Sequence, residues 1–234
     1  MIEENVKNLL ESLPETNPFG EKVTLVGAVK LQPPEAINRA ICGGLRDIGD
    51  NHVQEFKDKY DFIEGSPVRH FIGHLQTNKV KYLIDKVDLY HSLDRYALAE
   101  ELSKRSEKAN VVSNVLIQIN IGNEESKSGF DLSEANEAYA KIKAMPALKI
   151  KGLMAMLPDT DDTDKLERLA RLMRKKFDEL KASDPDVQYL SMGMSGDYKL
   201  CIQCGSNMVR LGTAIFGHRQ RVAAPKSFNC SAEQ

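Results

Sequence analysis

Val23-Thr24-Leu25-Val26-Gly27-Ala28-Val29-Lys30 is a short, mostly apolar run that ends on one lysine, with Pro33-Pro34 close behind it. Its apolar members are mostly β-branched or small, and the run is too short for a buried helix. That pattern describes a strand buried on both faces, the kind that parallel sheets contain. The prolines stop it, since proline cannot donate to a strand ladder. Lys30 is therefore expected at the carboxyl end of a buried strand, ahead of a turn and a helix. An ε-amine at such a place can be partly desolvated, which lowers its pKa and frees its lone pair to attack a carbonyl.

Outward from this run, the same alternation recurs along the chain. Residues 2–13 carry Ile2, Val6, Leu9, Leu10 and Leu13 on one helical face, ended by Pro14 and Asn17-Pro18-Phe19-Gly20. Pro33-Pro34-Glu35 opens a helix with Ala36, Ile37, Ala40 and Ile41 inward, closed by Gly43-Gly44. Further strands are predicted over 45–48, 70–72, 87–90, 112–121, 148–156, 188–192 and 208–211. Helices are predicted near 52–60, 77–84, 95–109 (with Asp94 as its N-cap), 133–144 and 196–203. Another begins after the acidic run 159–164 and buries Leu166, Leu169, Ala170, Met173, Phe177 and Leu180. Eight strands alternating with helices, without linker or repeat, predict a single (β/α)8 TIM barrel with an extra amino-terminal helix. The whole chain, 1–234, reads as one domain with a core over about 23–219. An open doubly wound sheet is the alternative, weakened because no GxGxxG follows a strand.

Composition narrows the function classes. A net charge of −2 gives no general attraction to nucleic acid or anionic membrane. No apolar run approaches the ~20 residues that span a bilayer, and the amino terminus lacks a secretory signal, so a cytoplasmic protein is expected. Four cysteines fit a reducing compartment. Cys201 and Cys204 have CxxC spacing, but they lie late in the chain and no second pair completes a zinc site, so they read as packed thiols. His70 and His74, about 13 Å apart on a strand rising ~3.3 Å per residue, do not share a metal. The acidic run 159–164 lacks the glycine and terminal glutamate of a calcium loop. No metal is expected.

Barrel active sites sit at the carboxyl ends of the strands, and phosphate sites often form in the loops after strands seven and eight. Gly193-Met194-Ser195-Gly196-Asp197 and Gly212-Thr213-Ala214-Ile215-Phe216-Gly217 occupy those two places. Glycines let backbone amides approach an anion, and Ser195 and Thr213 add hydroxyls. Arg210, inside the eighth strand, is costly to bury without a partner and is expected to find one in the barrel mouth. Asn51, at the end of strand two, can add a neutral hydrogen bond. The picture is a phosphorylated carbonyl compound with its phosphate at loops seven and eight and its carbonyl near Lys30. A sugar phosphate in a Schiff-base aldolase and pyridoxal 5′-phosphate both meet that description.

These residues carry a family resemblance. Gly27-Ala28-Val29-Lys30, Gly49-Asp50-Asn51-His52-Val53-Gln54-Glu55 and His70-Phe71-Ile72-Gly73-His74-Leu75-Gln76-Thr77-Asn78-Lys79 are similar to motifs of the pyridoxal phosphate homeostasis protein family. So are Glu125-Ser126-Lys127-Ser128-Gly129, Gly152-Leu153-Met154-Ala155, Leu190-Ser191-Met192-Gly193-Met194-Ser195-Gly196-Asp197 and Met208-Val209-Arg210-Leu211-Gly212-Thr213-Ala214-Ile215-Phe216-Gly217. The resemblance implies a barrel like the amino-terminal domain of alanine racemase, a fold-type III pyridoxal phosphate barrel without the carboxyl-terminal β-domain. It implies pyridoxal 5′-phosphate as cofactor, held as an aldimine on Lys30, with Ser195, Gly196, Gly212 and Thr213 on the phosphate. Arg210 would then face the pyridine nitrogen, and Ser191 and Met194 would join the cofactor site. One departure is Leu31, where the family commonly has threonine; a hydroxyl beside the lysine is lost.

The function implied is buffering and delivery of the vitamin B6 cofactor, with a part in amino-acid and keto-acid balance and no catalytic residues. A monomer is expected, with apo-enzymes that use the cofactor as its partners. Two other classes compete. A sugar-phosphate enzyme lacks an evident carboxylate paired with Lys30. A racemase of the alanine racemase type draws a tyrosine from a second domain, whereas the last tyrosine here is Tyr198 and 17 residues follow Gly217.

Overall fold

The computed structural model describes residues 1–122 and 128–217. Lys127 and Cys230 lie outside the described residues. The amino-terminal helix α1 (Ile2–Ser12) buries Val6 and Leu9. Strand β1 (Thr24–Ala28) is followed by α2 (Pro34–Cys42), whose buried face is Ile37, Ala40 and Ile41. Next come β2 (Asp47–Asp50), α3 (Val53–Lys59), β3 (Val68–Phe71) and a 3-10 segment, Thr77–Tyr82. β4 (Leu89–Leu93), α4 (Tyr96–Ala109), β5 (Ser113–Ile119) and α5 (Ala135–Lys143) follow. The chain continues through β6 (Leu148–Ala155), α6 (Thr163–Ser183), β7 (Tyr189–Ser191), α7 (Tyr198–Gln203), β8 (Met208–Leu211) and α8 (Thr213–Phe216).

All eight strands run parallel and close into a barrel in chain order, β8 pairing back onto β1 with Thr24 opposite Met208 and Gly27 opposite Leu211. Sequential closure follows from one right-handed crossover after each strand. The largest apolar cluster lies between the strands and the outer helices, and includes Phe56, Phe71, Leu102, Ile117 and Phe177. A second cluster packs α1 and α2 onto β1 and β8 through Val6, Ile37, Leu45, Val209 and Ile215. Inside the barrel the apolar cluster is small: Val26, Leu89, Leu116, Met154 and Met208. The interior therefore has room for polar side chains, and His70, His91, Gln118, Ser191 and Arg210 are all buried. The thinnest seam is β7–β8, and side chains stitch it. Ser206 Oγ donates among the carbonyls of Leu190, Met192 and Met208, while Asn207 Oδ1 accepts from Leu190 N–H at 2.8 Å.

Several expected boundaries shift. β2 begins at Asp47 rather than residue 45, and Gly49 and Asp50 belong to the strand because they pair with His70 and Phe71. Leu45 is buried beneath β1 in the second apolar cluster, which is why it read as strand. The helix expected from 196 starts at Tyr198, leaving Ser195 and Gly196 in the turn before it. Asp94 does not cap α4. Its carboxylate accepts from His74 Nδ1 at 3.0 Å and pairs with Arg95, the residue that stands at the cap. Asp162, by contrast, caps α6 by accepting from Lys165 N–H at 2.9 Å.

Candidate functional site

Lys30 stands two residues beyond β1, and the turn that presents it is held from below by α3. Val29 N–H donates to Gly49 O at 3.0 Å, and Leu31 N–H donates to Glu55 Oε2 at 2.6 Å. The buried Lys59 Nζ donates to Val29 O at 3.0 Å and pairs with Asp50 at 3.0 Å and Glu55 at 3.6 Å. Burial pushes the Asp50 carboxyl up from the ordinary aspartate value, and Lys59 pulls against it. Leu31 takes a left-handed φ of +59°, a conformation costly for a branched side chain, so the turn depends on these side-chain anchors. Lys30 itself is exposed, and its amine has no ion pair or hydrogen bond among the described residues. The expectation of a partly desolvated lysine is corrected here: the strand ends at Ala28, and the two extra residues carry Lys30 out into the barrel mouth.

Across the mouth lie the turns after β7 and β8. Gly193 has φ +110°, and a Cβ there would come within 3.0 Å of Cys201 Cβ and Tyr198 Cα, so the turn is pressed onto α7. Met194 N–H donates to Asp197 Oδ1 at 2.6 Å, while Asp197 and Tyr198 N–H return to Met194 O at 3.1 and 2.9 Å. This closed turn leaves the Ser195 and Gly196 amides without a protein acceptor among the described residues. A Cβ built on Gly196 would meet nothing within 4 Å, so its backbone faces open space. Gly212 caps α8, whose first amides, including that of Thr213, have no partner within the helix.

Arg210 is buried beneath these turns. Nη1 donates to Ser191 O at 2.9 Å and to Ser191 Oγ at 2.5 Å, and Nη2 donates to Ala155 O at 3.0 Å. Its partners are thus a hydroxyl and two carbonyls, with no carboxylate in contact, and burial lowers its pKa to about 10. An arginine keeps its proton even so, which leaves a fixed cation at the floor of the site. Lys30, Met194, Ser195, Gly196, Arg210, Gly212 and Thr213 all line one cavity of about 300 Å³, together with Ala28, Gln32 and Phe216. A primary amine, a buried cation, two hydroxyls and free amides around one space can hold a phosphorylated aldehyde.

The sequence matches the alanine racemase N-terminal domain family over residues 3–220. It is 42% identical over 198 residues to the pyridoxal phosphate homeostasis protein of Aquifex aeolicus (strain VF5), covering 84% of this chain and 87% of that one. Identity to the pyridoxal phosphate homeostasis protein of Escherichia coli (strain K12) is 41% over 203 residues, or 85% and 87% of the two chains. PipY of Synechococcus elongatus PCC7942, solved with PLP bound, superposes with a TM-score of 0.81 at 28% identity, over 93% of this chain and 100% of that chain. This chain belongs to the pyridoxal phosphate homeostasis protein family.

Two members of the expected site stand apart in this family member. Ser191 is fully buried and does not line the cavity; it acts on Arg210 from behind. Asn51 lines a neighbouring cavity of about 400 Å³ with His52, Lys57, His74, Gln76 and Lys79, and its buried Oδ1 has no partner among the described residues. Sequence reasoning gave no role to Glu55 and Lys59, although Glu55 closes the Gly49–Glu55 motif and the two stand at i,i+4 spacing on α3. Cys201 and Cys204 are buried free thiols, and burial pushes Cys201 far above the ordinary thiol range. His70 and His74 engage different partners, Asp47 and Asp94. No described helix is long and apolar enough to cross a membrane.

Proposed function

We propose that this chain binds pyridoxal 5′-phosphate reversibly and serves its homeostasis, buffering the cofactor and handing it to apo-enzymes. The observation that carries the reading is one cavity in which the unpaired Lys30 amine faces free amides at Ser195 and Gly196 over the Arg210 cation. That the related PipY has been solved with PLP bound supports it. When bound, the cofactor supplies an aldehyde that condenses reversibly with a primary amine, and an electron-withdrawing ring. Lys30 offers the amine. Ser195, Gly196, Gly212 and Thr213 bind the phosphate through hydroxyls and backbone N–H groups. Arg210 donates toward the pyridine nitrogen and, having no lone pair to accept with, keeps that nitrogen unprotonated. Met194 gives apolar surface at the rim, and Ser191 orients Arg210. The mouth is open to solvent at Lys30, Ser195 and Thr213, which suits exchange of the cofactor. We take the protein to act as a cytoplasmic monomer and to be a carrier, not an enzyme.

The test is covalent. Borohydride reduction of the loaded protein followed by peptide mapping should place the adduct on the Lys30 peptide, and Lys30→Ala protein should lose its visible absorbance. An adduct found mainly on another lysine would overturn the site assignment.

A further inference from the structure

Arg210 is the upper end of a continuous hydrogen-bonded line through the barrel interior. Ser191 Oγ, which accepts from Arg210, lies 3.0 Å from His91 Nδ1. His91 Nε2 lies 2.9 Å from His70 Nδ1, with the rings edge-to-face at an interplanar angle of 78°. His70 Nε2 lies 3.0 Å from Asp47 Oδ1. Ser191, His91 and His70 are 0%, 0% and 2% exposed, so the bonds among them are shielded from water, while the His70–Asp47 bond meets solvent at Asp47. Asp47 opens β2 and lines a cavity of about 310 Å³ formed by the amino-terminal ends of the strands, including Thr24, Val68, Leu89 and Met208. The line therefore runs from the mouth that holds Lys30 to the opposite one.

Its direction is set by its ends. A guanidinium only donates, and an ionised carboxylate only accepts. With both histidines neutral, every bond must then run the same way. Arg210 N–H donates to Ser191, Ser191 O–H to His91 Nδ1, His91 Nε2–H to His70 Nδ1, and His70 Nε2–H to the Asp47 carboxylate. Both imidazoles are held as the Nε2–H tautomer. Burial, with His70 and Arg210 nearby, holds the His91 imidazole neutral by lowering its pKa well below the ordinary histidine range. Charge balances across the line, one cation at Arg210 against one anion at Asp47. Arg210 has five N–H donors, and protein acceptors take three of them, so two remain for a ligand in the cavity.

We propose that Asp47 is a positioning residue for Arg210, acting through His70, His91 and Ser191 across the barrel. The proposal rests on the reading of Arg210 as the group that meets the cofactor ring, and it goes beyond that reading by assigning a role to the far mouth. Removing the acceptor at Asp47 frees the His70 tautomer. His91 and Ser191 can then reverse, so that Ser191 Oγ accepts from His91 as well as from Arg210, and the bond that joins the Ser191 and Ala155 carbonyls in aiming Arg210 is weakened.

Histidine side-chain 15N–1H correlation spectra of the ligand-free protein read the line directly. In the neutral rings, both His70 and His91 should show the Nε2–H tautomer. Asp47→Leu should shift His70 to a tautomer mixture and weaken pyridoxal phosphate affinity about tenfold, the effect of one misaimed charge-assisted bond. Asp47→Asn keeps an acceptor oxygen and should recover most of that loss. In both variants borohydride should still fix the cofactor on Lys30, which separates failure of the relay from failure of the site. The proposal is overturned by a neutral wild-type His91 or His70 in the Nδ1–H form, or by Asp47→Leu protein with unchanged affinity. If Asp47→Leu does not fold, the wild-type tautomers alone decide between these arrangements.

Discussion

At the scale of single residues, the end of the cavity proposed for the phosphate depends on groups that fold into place without using their own donors. Ser195 and Thr213 are exposed at the two turns, and neither hydroxyl bonds to protein among the described residues. Their hydroxyls are thus free for an anion, and each charge-assisted bond is worth roughly 1.5–3 kcal/mol. The double change Ser195→Ala with Thr213→Ala should weaken cofactor retention at least about tenfold while leaving the melting temperature near wild type. Equilibrium dialysis and thermal unfolding check the two halves of that expectation. Equal retention would move the phosphate elsewhere. Lys30 and Arg210 were legible as chemistry because a lysine at a strand end and an arginine inside a strand are both costly placements. Ser191 was legible only through its motif, and its contact with Arg210 required the β7–β8 seam.

Among the elements, α3 acts as the clamp under the Lys30 turn. Lys59 ties Asp50, the last residue of β2, to the carbonyl of Val29, one residue past β1. Lys59→Met should leave the Asp50 carboxylate buried beside Glu55 without its cation, a change that costs about 3–5 kcal/mol when a buried pair loses one member. The sign with pH follows from the raised Asp50 pKa. A carboxyl whose folded pKa exceeds its unfolded one favours folding below the unfolded value, and that advantage is lost as pH rises through the folded value. Removing Lys59 raises the folded pKa further. The stability deficit of Lys59→Met should therefore be largest at neutral pH and shrink toward acid, as urea unfolding at a series of pH values would show. A deficit independent of pH would mean that packing, not charge, is what Lys59 supplies. Elsewhere the element reading was close: β8 lies at 208–211 as expected, and α6 buries Leu166, Ala170, Met173, Phe177 and Leu180. Arg174 joins that face because it pairs with Glu21 at 2.6 Å, a contact 153 positions away that periodicity cannot report.

For the whole molecule, the composition of the cavity limits what chemistry it can run. Its described lining holds one amine, Lys30, and no tyrosine, histidine, cysteine or carboxylate able to move a second proton. Racemisation needs an acid and a base on opposite faces of the substrate, and a missing positioned partner costs about 10²–10⁴-fold in rate. A pyridine ring left unprotonated, as proposed opposite Arg210, would also be the weaker electron sink. The loaded protein should racemise alanine and serine negligibly while transferring pyridoxal phosphate measurably to an apo-enzyme. Chiral chromatography showing turnover near the usual enzyme range of roughly 1–10³ s⁻¹ would reverse that view.

By itself the amino-acid sequence determined the succession of buried strands and amphipathic helices, and from their number the barrel. It also determined which loops bring glycines, hydroxyls and Lys30 to the carboxyl ends of the strands. Those properties are local: strand burial, helix face and turn chemistry are written within a few residues of each position. Only the tertiary structure decided that Lys30 emerges into solvent, that Asn51 faces a second cavity, and that Ser191 stands behind Arg210. It alone placed Asp47 and Arg210 at the two ends of one line of hydrogen bonds. Such pairings depend on how the closed barrel staggers its strands, and the stagger is settled by every strand at once rather than by any one stretch of the chain.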